Sequence, residues 1–211
     1  MNTRHDQLRV RLRQAFEAGP WRTWFTEKDF SEDWSSPYFP LWMKTLAPIR
    51  HQPLSVLEIG SFEGRSAIFW LEYLENCNLT CIDHFATTKK RSGAEIERRF
   101  DLNTACYASR IRKIKGSSAR VLATLIEKHE AFDLIYIDGC HYRDAVFIDT
   151  ALSWQLLKSN GYIIFDDYAH EPDRNPAERP QGAIDCFLKW HCGEYAEVAR
   201  GYQIIIQKTT C

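Results

Sequence analysis

Between residues 54 and 206, short apolar runs alternate with amphipathic stretches, and this rhythm restricts the possible folds more than any other feature. The apolar runs cover 55–59, 79–83, 111–115, 134–138, 162–165 and 203–206. Between them, residues 64–74, 118–128, 144–157 and 183–190 place apolar side chains three and four apart, the period of a helix with one buried face. Strands that alternate with helices build βαβ units, hence a parallel sheet covered on both faces. The expected architecture is a single α/β domain over 51–211. Residues 1–50 precede it as a helical, aromatic-rich cap. Within the cap, 5–18 reads as an amphipathic helix ended by Gly19 and Pro20. Trp21, Trp24, Phe25, Phe30, Trp34, Tyr38, Phe39 and Trp42 follow without a clean period. They either pack on the main domain or line part of a substrate pocket.

Composition narrows the function classes. The chain has 211 residues and a net charge of −1, so it is no general polyanion binder, and nucleic acid is not an expected partner. No apolar run is long enough to span a bilayer, and residues 1–16 hold no apolar signal core, so a cytoplasmic protein is expected. Seven cysteines without a C-x-x-C pair read as reduced thiols.

Parallel sheets bind ligands at the carboxyl ends of their strands. Here those ends carry Glu58 to Gly60, Asp83, Ser117, Asp138, and Asp166 with Asp167. Gly60 and Gly64 are four apart, and neither G-x-G-x-x-G nor the phosphate loop G-x-x-x-x-G-K-[ST] is present. Glu58 would repel a phosphate but suit an ammonium group. Three carboxylates at two strand ends repel one another unless a cation lies among them, or unless one takes up a proton.

The order E-x-G-x-x-x-G-x-S, then Asp83, then Gly116-Ser117, resembles the class I S-adenosylmethionine-dependent methyltransferases. Ile137-Asp138-Gly139-Cys140-His141-Tyr142 and the later Gly161 to Tyr168 segment are similar to their bacterial O-methyltransferase-like branch, with its catechol-type and macrolide-sugar-type enzymes. The resemblance implies a Rossmann-like, seven-stranded, mostly parallel sheet with helices on both faces. It also implies S-adenosylmethionine as cofactor and methyl transfer to a small-molecule acceptor, most often at a hydroxyl oxygen. By the same resemblance, Glu58, Gly60, Ser61, Gly64 and Ser66 form the loop at the methionine part. Asp83 takes the ribose hydroxyls, His84 and Phe85 flank adenine, Ser117 meets the adenine edge, and Asp138 also borders the cofactor. Asp138, Asp166 and Asp167 match magnesium ligands, and His141, with Asp138, matches the catalytic position. Cys140 departs from the macrolide-sugar pattern, which has an acidic residue there, so that base assignment does not carry over. Asn160-Gly161 stands where Gly-Gly is frequent.

Alternatives remain at this level. The sheet also serves nucleotide-dependent oxidoreductases, although the missing G-x-G-x-x-G speaks against one, and it serves noncatalytic binding modules. A homodimer is left open. The basic residues between 89 and 115 read as a solvated helix face, or as a lure for an anionic acceptor. The proline-interrupted stretch 168–181 reads as a lid.

Overall fold

The computed structural model describes residues 19–209. The expected helix over 5–18 lies outside them. Seven strands form one sheet: β1 Pro53–Ile59, β2 Asn76–Asp83, β3 Ile111–Lys115, β4 Phe132–Ile137, β5 Leu157–Phe165, β6 Tyr195–Arg200 and β7 Ile204–Lys208. Their order is β3-β2-β1-β4-β5-β7-β6; the first five are parallel and β7 runs antiparallel to both neighbours. This is the Rossmann-like sheet expected from the sequence, and the strand order reverses between β1 and β4.

Among the described residues six α-helices complete the fold: α1 Phe39–Leu46, α2 Arg65–Tyr73, α3 Gly93–Thr104, α4 Ser118–Glu127, α5 Arg143–Leu156 and α6 Gln181–Trp190. Side chains alternate across each strand, so the sheet feeds two cores. Leu54, Val56, Leu79, Leu134, Tyr136 and Ile164 join α2, α3 and the aromatic segment on one face. Leu57, Ile59, Ile135, Ile137, Ile163 and Phe165 join α4, α5 and α6 on the other.

Two elements depart from the sequence reading. Residues 195–200 form the edge strand β6, which its mixed, mostly exposed side chains concealed. Residues 93–104 form α3, whose first turn is capped by the Ser92 hydroxyl accepting from the Glu95 N–H. Asn160 does adopt a left-handed backbone (φ 63°), but inside β5 and not at a helix end. There the pairing shifts register: Phe132 faces Leu157, while Leu134 faces Tyr162.

The aromatic segment is largely core. Phe39 and Trp42 are fully buried, and Trp42 stacks on Trp70 at 4.4 Å between ring centroids. The Trp42 indole donates to Gln203 Oε1 at 2.8 Å, tying the segment to the far end of the chain. Two charged residues at the start of α2 clamp its loop. The Ser31 hydroxyl donates to Glu63 at 2.7 Å, and Arg65 pairs with Asp33 at 2.9 Å.

Candidate active site

The strand ends stand in line because the ladder hydrogen bonds continue one residue past each strand. Gly60 N–H donates to Ile82 O (2.9 Å), Gly116 N–H to Asp83 O (2.9 Å), Asp138 N–H to Ile59 O (2.8 Å) and Asp166 N–H to Ile137 O (3.0 Å). Above this line lies a cavity of about 1400 Å³. Gly60, Asp83, His84, Phe85, Ser117, Asp138, His141, Asp166 and Asp167 all border it, together with Trp34 and Tyr38 from the aromatic segment. Residues distant in sequence therefore share one space.

Glu58, Ser61, Gly64 and Ser66 do not border the cavity. They lie beneath its floor. Glu58 is fully buried, and its carboxyl accepts from the Trp70 indole (3.1 Å) and the Cys81 thiol (3.4 Å). Burial pushes the Glu58 carboxyl above the usual range, against the hydroxyls of Ser66 and Ser61. Its place is under the loop, not facing a ligand's ammonium group. Gly64 (φ 85°) starts α2. Gly60 (φ 87°) approaches the next loop so closely that a Cβ there would lie 2.0 Å from Asp138 O.

Asp83 fastens the end of the site above β1 and β2. Its Oδ2 accepts from the N–H groups of Ser61 (2.9 Å) and Phe62 (2.8 Å), and its Oδ1 accepts from Phe85 N–H (2.6 Å). One carboxylate thus shapes two loops with three of its about four acceptor sites, and the residue also borders the cavity. Ser117 is the N-cap residue of α4, and its hydroxyl makes no capping bond. His84 points largely to solvent, with 70% of its side chain exposed, whereas the Phe85 ring packs against Phe100.

The acidic side is a connected network. The Tyr136 hydroxyl, on a fully buried ring, lies 3.0 Å from Asp138 Oδ2 and also bonds Asp166. Asp166 further accepts from Asp167 N–H at 2.7 Å. Asp167, in a left-handed backbone conformation (φ 56°), pairs with His141 Nε2 at 2.7 Å and accepts from the Tyr202 hydroxyl at 2.6 Å. His170 Nδ1 meets that same hydroxyl at 2.9 Å. Burial, and then the charges of Asp166 and Asp167, hold Asp138 well above the usual carboxylate range. Burial and the Asp167 charge push Asp166 up to about 6. Burial works on Asp167 too, but the His141 hydrogen bond and charge outweigh it and hold this carboxyl low. The Asp167 hydrogen bond in turn raises His141.

Ligand atoms of Asp138, His141 and Asp167 lie within 4.8 Å of one another, a grouping that fits a divalent cation. The sequence reading had Asp166 in place of His141. In the structure Asp166 is taken up by Tyr136 and the Asp167 backbone.

Tyr136, Tyr202, His170 and Asp149 escaped the sequence reading. Tyr136 looks like one more apolar residue of β4. Tyr202 and His170 reach the site from opposite sides of α6 in the chain, so no spacing joins them. The basic residues are largely neutralised: Lys90 pairs with Glu32 (3.0 Å), Arg99 with Asp29 (3.0 Å) and Lys113 with Asp101 (2.6 Å). Of the stretch expected to form a lid, Tyr168 to Gln181, only His170 borders the main cavity.

A family model described as a methyltransferase domain matches residues 57–168, more than half the chain. O-methyltransferase hkm8 of Aspergillus hancockii is 28% identical over 133 residues, 63% of this chain and 49% of its own length. The chain spans about half the length of the curated relatives it matches. Among solved structures, the mycinamycin-pathway methyltransferase MycE, in complex with Mg, SAH and mycinamycin VI, superposes with a TM-score of 0.64 at 17% identity, over 90% of this chain and 53% of that one. An O-methyltransferase from Bacillus cereus in complex with SAH gives 0.60 at 19%, over 97% and 91%. At these identities the two solved structures speak for the fold. No helix among the described residues is long and apolar enough to cross a membrane.

Proposed function

The chain belongs to the methyltransferase-domain family, and from that premise we propose that it moves a methyl group from S-adenosylmethionine to an oxygen of a small-molecule acceptor. The observation that carries this reading is the single cavity that joins Gly60, Asp83 and Ser117 on one side to Asp138, His141 and Asp167 on the other. Its volume of about 1400 Å³ exceeds the roughly 300–1000 Å³ usual for one small ligand, so two molecules fit side by side.

S-adenosylmethionine supplies a methyl group activated on a sulfonium. The chain's work is to hold the acceptor oxygen in line with it, and such positioning is worth about 7–11 kcal/mol of barrier at best. Asp83, with one acceptor site left, accepts from a ribose hydroxyl. Gly60, bare of a side chain, lets the ligand reach the loop. Phe85 and Ser117 border the base. On the acceptor side, His141 takes the hydroxyl proton on Nδ1, while Asp167, bonded to Nε2, orients the ring and stabilises its charged form. Trp34 and Tyr38, from the segment 1–50, wall the acceptor.

Asp138 and Asp167, with Asp166 behind them, would hold a magnesium ion, whose chemistry is to lower the pKa of a bound hydroxyl. The closeness of His141 to both carboxylates favours a second reading, in which its ring is a metal ligand and not the base. The two separate on replacement: His141→Ala leaves magnesium affinity unchanged if the histidine is the base and lowers it if the histidine is a ligand.

The test is calorimetry with S-adenosylhomocysteine, followed by turnover assays over a panel of hydroxyl-bearing compounds with magnesium and with EDTA. Binding that nicotinamide dinucleotides do not displace is expected. No binding overturns the reading. Binding without turnover on any acceptor marks a noncatalytic module.

A further inference from the structure

We propose that Gln203 is a positioning residue for the acidic side of the site: from across the sheet it holds Asp166, and through Asp166 it sets Asp167. The inference rests on the methyl-transfer reading above for what that side does. β7 runs antiparallel to β5, with Ile164 facing Ile205 and Phe165 facing Ile204. Carried one and two residues further, this register sets Asp166 opposite Gln203 and Asp167 opposite Tyr202. The contacts agree, since the Tyr202 hydroxyl donates to Asp167 at 2.6 Å and Ala169 N–H donates to Tyr202 O at 3.3 Å. Ile164 and Ile205 pack with the aromatic segment. Alternate residues of a strand share a face, so Asp166 and Gln203 return to that side, where the Tyr136 hydroxyl meets Asp166.

Gln203 is 2% exposed and does not border the cavity, so it touches no ligand. One partner fixes how its amide lies. The Trp42 indole can only donate, and it donates to Oε1. The amide nitrogen must then face away from Trp42. It lies close enough to Asp166 to favour the ionised carboxyl against burial, yet Nε2 completes no hydrogen bond among the described residues. A buried N–H without an acceptor is costly. Asp166 has room for it: Tyr136 bonds Oδ2, the Asp167 N–H bonds Oδ1, and a carboxylate has about four acceptor sites. A small turn of either side chain closes the bond. Asp166 cannot move far without carrying Asp167 along, because it accepts from the Asp167 N–H, and Asp167 in turn holds His141 at 2.7 Å. Trp42 anchors the amide, and the amide steadies the carboxylates.

The test uses the full chain. Gln203→Leu keeps much of the side chain's volume and removes the amide. Two quantities are read: magnesium affinity, by titrating the metal alone, and kcat on the hydroxyl compound that the panel above identifies. Each is expected to fall about tenfold to a hundredfold, the usual effect of removing a group that orients a ligand carboxylate. S-adenosylhomocysteine affinity and acceptor KM stay as in the wild type. Trp42→Phe removes the indole donor but leaves the amide beside Asp166, so its losses are smaller. Gln203→Met serves if the leucine variant does not fold. Unchanged magnesium affinity and kcat in either Gln203 variant, with a lowered melting temperature, overturn the proposal and leave Gln203 an anchor of the aromatic segment only. Equal losses in Gln203→Leu and Trp42→Phe overturn it as well. A wild type that takes up no magnesium overturns the metal reading, and kcat alone then decides the proposal. A wild type that neither binds S-adenosylhomocysteine nor turns over any acceptor overturns the methyl-transfer reading, and this inference falls with it.

Discussion

His141 and Glu58 show how burial gives similar polar residues different work. His141 is half-exposed and held by Asp167. Replacing it with alanine removes the proton acceptor but no part of the cofactor wall near Asp83. Turnover is expected to fall by about 10²–10⁴ with S-adenosylhomocysteine affinity unchanged, which rate assays beside calorimetry will check. Glu58 is sealed in the core and touches no ligand space. Its folded pKa is raised, so the sign of its pH effect follows. Below the unfolded value of 4.5 both states hold the proton, and burial costs nothing from this group. As pH rises past that value the unfolded chain releases its proton while the folded one keeps it, so stability falls until the folded group also ionises. Glu58→Gln removes that slope. Urea midpoints at about pH 4.5 and about pH 8 should show the variant gaining on the wild type as pH rises; a constant gap would mean that Glu58 titrates alike in both states.

At the scale of elements, the site is made where strand ends become loops. Asp83 illustrates it: three backbone N–H groups from two loops converge on one carboxylate. Asp83→Asn therefore weakens cofactor binding partly by loosening those loops. The expected loss is roughly tenfold to a hundredfold in affinity, accompanied by faster amide exchange at Ser61 and Phe62. Loss of affinity without that exchange change would assign Asp83 to ligand contact alone. The β1–β4 junction is tighter still. At Gly60, a Cβ would collide with Asp138 O, and the left-handed φ adds strain. Gly60→Ala should cost about 2–4 kcal/mol of stability and displace the Asp138 loop, measured by denaturant unfolding and by lost cofactor binding.

For the whole molecule, the aromatic segment decides what counts as one folding unit. From the sequence alone, removing residues up to about Trp42 looks like trimming a cap, which would impair acceptor turnover more than cofactor binding. In the structure that cut removes Trp21, Phe39 and Trp42 from the core on one face of the sheet. Loss of each large buried aromatic costs about 3–5 kcal/mol, against a total stability of about 5–15 kcal/mol for a typical domain. The truncated chain is expected not to fold, shown by the absence of a cooperative thermal transition. A folded truncation would restore the division at residue 50.

Six of the seven strands, most helices and the row of polar strand ends were legible because each depends on local order: an apolar period of two or 3.6, and a polar residue where the run stops. Asp138, Asp166 and Asp167 could therefore be marked as one constellation and Asp83 as a further strand-end candidate before any coordinates, while His141 came from the family resemblance. What the sequence could not show is depth and direction. Glu58 and Asp83 both sit at strand ends, yet one lies under the floor and the other borders the cavity, because alternate residues of a strand point to opposite faces or turn into the loop. Asp166 and Asp167 are neighbours, yet Tyr136 claims the first and His141 the second. Those partners come from other strands and loops, brought within bonding distance only when the sheet forms. Local periodicity determined the frame; the packing of distant segments decided which carboxylates are spent on structure and which stay open to a ligand.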